Sequence, residues 1–111
     1  MKEFALVFRQ PDSAYRKREP GEMDALQKKW DVWAGGIAVQ GKYANSVRLA
    51  GEGQVLKPGG LITDGPFVEI REILGGVMIV HADSLEEATT LAHGCPALDA
   101  GGSIEIRPLY T

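Results

Sequence analysis

Two short runs constrain this chain more than anything else in it. Phe4-Ala5-Leu6-Val7-Phe8 and Val77-Met78-Ile79-Val80 are apolar at every position. Each is too short to be a lone helix. In a strand, side chains alternate between faces, so a run apolar at both parities belongs inside a sheet and not at its edge. Two interior strands, each followed by a helical pattern, leave few topologies open.

The first helical pattern begins near Glu22. Met23, Leu26, Trp30, Trp33 and Ile37 fall at spacings of three and four, which is one helix face. Gln27, Asp24, Lys28 and Asp31 lie mostly off that stripe. Gly35-Gly36 weakens the helix, and it runs to about Gln40 with Gly41 as its stop. The segment 42–49 reads as a strand with Tyr43, Val47 and Leu49 pointing inward. Gln54-Val55-Leu56-Lys57 and Leu61-Ile62-Thr63 flank Pro58-Gly59-Gly60, the pattern of a small hairpin. Gly75-Gly76 leads into the second interior strand. Ser84 with Glu87 is a capping box, and Leu85, Ala88, Leu91 and Ala92 form the next apolar helix face, ended by Gly94 and Pro96. Ser103-Ile104-Glu105-Ile106-Arg107 alternates, as a final strand with one wet face should.

The order is βαββαβ with an inserted β-hairpin, the ferredoxin-like plan, in a single domain over residues 1–111. In that plan the first and third core strands are central, and those are the two doubly apolar runs. Two helices cover one face of the sheet. The other face exposes Ala5 and Val7, or Phe4, Leu6 and Phe8, according to register. Uncovered apolar area of that size calls for a partner, so a homodimer packed sheet face to sheet face is expected.

Between hairpin and interior strand lies Asp64-Gly65-Pro66-Phe67, then Val68-Glu69-Ile70-Arg71-Glu72. Asp accepts local amide hydrogen bonds, Gly permits positive φ, and Pro fixes φ and removes a donor, so this is a well specified corner. Together with Gly75-Gly76, the stretch from Ala82 to Ala88 and Gly102-Ser103-Ile104-Glu105-Ile106-Arg107-Pro108, the motif resembles the YCII-related family in its DGPF-domain branch, over nearly the whole chain. The resemblance implies a dimeric α+β barrel. It also implies that some relatives are enzymes built on a His–Asp pair, that a dehydrochlorinase of chlorinated aromatics is a distant cousin, and that such proteins are often encoded beside sigma factors of the extracytoplasmic-function class.

The His–Asp pair does not carry over. The family His lies eleven residues before a Gly preceding the second strand, which here is Trp30 before Gly41. The family Asp precedes a Pro after the second helix, where this chain has Cys95 before Pro96. An indole nitrogen only donates and cannot serve as a base.

Asp64 is therefore the candidate catalytic residue, a carboxylate held at a rigid turn, and equally a candidate for pinning that turn. Trp30, Asp64, Phe67, Glu69 and Glu72 are the candidate ligand-binding residues. Glu69 and Glu72 share a face if the segment is helical and oppose each other if it is extended. Trp30 reads as a core residue or as the wall of a small-molecule pocket. His81, His93 and Cys95 lack the spacing of a metal site, and no metal or cofactor is expected. A nucleophilic Cys95 would need His93 within reach.

A formal charge of -3 and a pI near 5.3 argue against nucleic acid. The basic run Arg16-Lys17-Arg18 is diluted by Glu19 and Glu22. One cysteine, no leader-like opening and no long apolar run suggest a cytoplasmic protein off the membrane. The function expected from sequence is a small-molecule-binding or accessory protein, with its pocket between the barrel sheet and the inserted hairpin. The alternatives are a cofactor-independent lyase or dehydrochlorinase-like enzyme using Asp64, and an interaction partner of an extracytoplasmic-function sigma factor.

Overall fold

In a computed structural model, residues 1–11, 19–64 and 72–110 are described, Asp64 and Glu72 by their backbone alone. Six strands and three helices follow one another as β1 (Lys2–Pro11), α1 (Pro20–Val39), β2 (Tyr43–Arg48), β3 (Gln54–Leu56), β4 (Ile62–Asp64), β5 (Glu72–Ala82), α2 (Leu85–Ala92), α3 (Pro96–Asp99) and β6 (Ser103–Pro108). Four strands make an antiparallel sheet in the order β2-β5-β1-β6, and β3 pairs with β4 in a separate hairpin. This is the ferredoxin-like α+β arrangement with an inserted hairpin. The two doubly apolar runs occupy the two central strands, as their composition requires.

Phe4, Leu6 and Phe8 of β1 pair with Val80, Met78 and Gly76 of β5 and with Pro108, Ile106 and Ile104 of β6. That face carries the core. Leu6 and Val80 are fully buried, joined by Ile37 of α1, Ala88 and Leu91 of α2, and Cys95. All three helices lie on this side. The opposite face presents Ala5, Val7, Val77 and Ile79 with none of the three helices over it, so of the two predicted registers the one exposing Ala5 and Val7 is realised.

Three local readings need correction. β5 starts at Glu72, well before Gly75-Gly76, and the glycine pair lies inside the strand. Phe8 pairs with Gly76 and Arg9 with Leu74, so Gly75 is the extra residue of a β-bulge. Gly76 is required because a Cβ there would stand 2.6 Å from the Val47 carbonyl oxygen on β2. Second, β2 does not bury Val47. Its pairing slips between Tyr43 and Asn45, which moves Val47 opposite Val77 on the uncovered face, 53% exposed. Leu49 is likewise exposed. Third, the short helix α3, with Pro96 at its start, follows α2 where only a terminator was anticipated.

α1 carries the predicted stripe, but only its second half is packed. Ile37 is buried and Trp30 and Trp33 are half-buried, whereas Met23 is exposed. The helix closes at Gln40, and Gly41 adopts φ 72°, as a left-handed stop residue should. The capping box on α2 is half formed. Ser84 Oγ accepts from the Glu87 amide at 3.1 Å, but the Glu87 carboxylate turns to the Lys42 ammonium at 2.9 Å. That pair ties the start of α2 to the turn before β2 and holds the Glu87 carboxyl below its ordinary range. Among the described residues, no helix is long and apolar enough to cross a membrane.

Candidate functional site

A recess of ≈ 130 Å³ opens between the middle of α1 and the β2–β5 side of the sheet. Its floor is Phe8, Met78 and the bulge residue Gly75; its walls are Trp30 and Ala34 of α1 and Ser46 and Arg48 of β2, with Leu49 just beyond. Gln27 and Asp31, one turn apart on α1, edge it along with Gln10 of β1.

The aromatic wall is a mutually packed cluster. Phe8, Trp30 and Trp33 meet edge to face in all three pairings, with centroids 5.3, 5.8 and 5.7 Å apart. Trp33 Nε1 donates to the Leu91 carbonyl at 3.1 Å, anchoring α1 to α2 on the side away from the recess. Trp30 is the member that faces the opening. The Arg48 guanidinium stands 5.7 Å from its ring centroid, within cation–π range.

A polar chain crosses the mouth. Arg48 Nη1 donates to Gln27 Oε1 at 2.8 Å, and Gln27 Nε2 donates to Asp31 Oδ1 at 2.9 Å. The recess therefore has a cationic end and an anionic end, joined through one amide and set beside an indole face. Arg48 reaches it because the β2 register puts Ser46 and Arg48 on the helix-covered face, opposite Met78 and Gly76. Gly76 has no side chain to occupy that space.

Of the residues expected from sequence to bind a ligand, Trp30 lines the recess. Asp64 closes β4 and Glu72 opens β5, each placed by backbone only, so Glu72 sits in an extended segment. Phe67 and Glu69 lie outside the described residues. The recess is not walled by the inserted hairpin: among the described residues, none from β3 or β4 lines it. Arg48, Gln27 and Asp31 were missed. A signal existed in the i, i+4 spacing of Gln27 and Asp31 around Trp30, but both were read as solvent-facing because they lie off the apolar stripe.

Cys95 does not qualify as a nucleophile. It is 1% exposed at the start of α3, and His93 is solvent-exposed. Desolvation pushes its thiol up to about 11 from an ordinary 9.0, the Ala97 backbone pulls the other way, and Asp99 adds to the rise. At neutral pH the group is an uncharged thiol filling core volume.

The folded chain holds that proton more tightly than the unfolded chain. The resulting stabilisation is complete below about pH 9 and lost as pH rises through about 11, on the order of 3 kcal/mol. Denaturant titrations of wild type and Cys95→Ala across that interval should show the wild type losing more stability than the variant. Parallel losses would mean the thiol is not desolvated.

No curated protein is significantly similar to the chain. A family model for the YCII-related domain fits residues 16–111, and the chain belongs to that family.

Proposed function

We propose that this YCII-related chain is a small-molecule-binding protein whose ligand occupies the recess beside Trp30. The observation that carries this reading is the position of Trp30. The family resemblance puts a histidine there; this chain puts an indole, and the indole walls a recess whose mouth holds both an arginine and a carboxylate. An aromatic surface with a few convergent polar groups is the usual make-up of a small-molecule site. The described carboxylate at the recess is Asp31, hydrogen-bonded and on the helix.

The test is a thermal-shift screen of small molecules against wild type and Trp30→Phe. A ligand at 100 times its dissociation constant adds about 2.7 kcal/mol to a folded chain. Compounds that stabilise the wild type and lose most of that effect in Trp30→Phe are expected. Stabilisers indifferent to Trp30 would defeat the reading.

The working unit is a homodimer joined through the uncovered sheet faces. Ala5, Val7, Val77, Ile79 and Val47 form a contiguous apolar area there, bordered on the β6 side by the Arg9–Glu105 ion pair at 3.2 Å. Leu56, Leu61 and Ile62 on the inserted hairpin are exposed as well. Equilibrium sedimentation at micromolar concentration should give a dimer that Val7→Glu converts to monomer; a folded wild-type monomer under those conditions would contradict it.

A further inference from the structure

We propose that the ligand of this recess is a small planar carboxylate bearing a hydrogen-bond donor at its far end, such as a hydroxylated aromatic acid. The proposal rests on the recess being the ligand site and adds the chemical class. Four features point to it.

The first is size. A cavity of ~150 Å³ accommodates one benzene ring, and the recess measures ≈ 130 Å³ with an open mouth, enough for one ring whose substituents reach outward. The second is shape. Trp30 walls the recess with Phe8 and Met78 on its floor, an apolar slot that takes a planar ring at little conformational cost.

The third is charge at one end. A guanidinium has five N–H donors in a fixed fork. One nitrogen of Arg48 is committed to Gln27, and among the described residues no carboxylate pairs with Arg48. Among the described residues nothing else holds the remaining fork, and its geometry matches the two parallel N–H···O bonds of a bound carboxylate. Gln27 and the Trp30 face already fix its direction.

The fourth is charge at the other end. Asp31 takes the Gln27 amide on Oδ1, and among the described residues its second oxygen has no donor. It can accept from a ligand hydroxyl. It also disfavours a phosphate, because a dianion would meet one cation and one carboxylate at the same mouth. Arg48 and Asp31 are the only charged side chains among the described residues lining the recess.

The experiment is a titration of the full-length protein with 4-hydroxybenzoate, 4-hydroxybenzamide and benzoate, followed by tryptophan fluorescence. 4-Hydroxybenzoate should bind about tenfold or more tightly than its amide. That preference should vanish in Arg48→Gln and persist in reduced form in Arg48→Lys, which keeps the charge without the fork. Asp31→Asn should narrow the gap between 4-hydroxybenzoate and benzoate. Equal affinity for acid and amide, a preference surviving in Arg48→Gln, or no binding of any of the three would overturn the proposal. Compounds from the thermal-shift screen that depend on Trp30 but show no preference for a carboxylate would overturn this class while leaving the recess as the ligand site.

Discussion

Gly76→Ala should lower the unfolding free energy by about 3 kcal/mol, among the larger losses available to a single methyl group. The added Cβ would stand 2.6 Å from the Val47 carbonyl oxygen and 3.4 Å from the Arg48 Cα, both backbone atoms of β2. Backbone cannot swing aside as a long side chain can, so β2 must shift as a unit. Among the described residues β2 is an edge strand paired only with β5, and it carries Ser46 and Arg48 to the recess. The variant should lose ligand binding along with stability. Gly36→Ala is the matched control. Gly36 lies exposed inside α1 with nothing within 4 Å of a new Cβ, so this change should raise stability by about 0.5–1 kcal/mol. Urea denaturation of the two variants beside wild type decides the matter, and changes of the same sign would contradict the strand register given above.

Trp30→Ala should cost about 2–3 kcal/mol and abolish binding at the recess. Full truncation of a core tryptophan costs more, but this ring is only half-buried. It removes two of the three edge-to-face contacts, with Phe8 and Trp33, and the surface on which Arg48 rests. Trp30→Phe separates the two effects. It keeps an aromatic edge toward Phe8, so stability should fall by about 1 kcal/mol, while the smaller face still weakens ligand binding. Calorimetric or denaturant stability measured beside ligand titration for both variants tests this. Binding unchanged in Trp30→Ala, with the chain folded, would rule the recess out.

The fold was legible where the sequence repeats its period over several residues. Phe4 to Phe8 and Val77 to Val80 specify interior strands because no edge position rewards apolar side chains at both parities. The stripe on α1 and the cap at Ser84 follow from helix geometry alone. Legibility failed where a single residue changes the phase. The slip after Tyr43 and the bulge at Gly75 each re-aim the side chains beyond them; composition does not mark the first, and the Gly75-Gly76 pair that marks the second reads in sequence as the lead-in to the strand. The inward reading of Val47 was lost to the first. The site suffered from the same limit. Trp30 stood out as an aromatic on the stripe, but Arg48 enters the recess only because of the β2 register, and Gln27 and Asp31 look like ordinary helix surface until a strand is set beside them. Asp64 ends β4 and Glu72 begins β5, and their residue types leave the chemistry open.

The central claim is that a small molecule binds against Trp30. The chain has two tryptophans, and their indole N–H groups give separate resonances in a proton–nitrogen correlation spectrum. Trp33 Nε1 is committed to the Leu91 carbonyl on the far side of the aromatic cluster and serves as an internal reference. Titration with any compound that raises the melting temperature should move the Trp30 indole furthest, with Arg48 and Gln27 side-chain signals following it and Trp33 moving little. A stabilising compound that saturates while the Trp30 indole stays where it was would contradict the account.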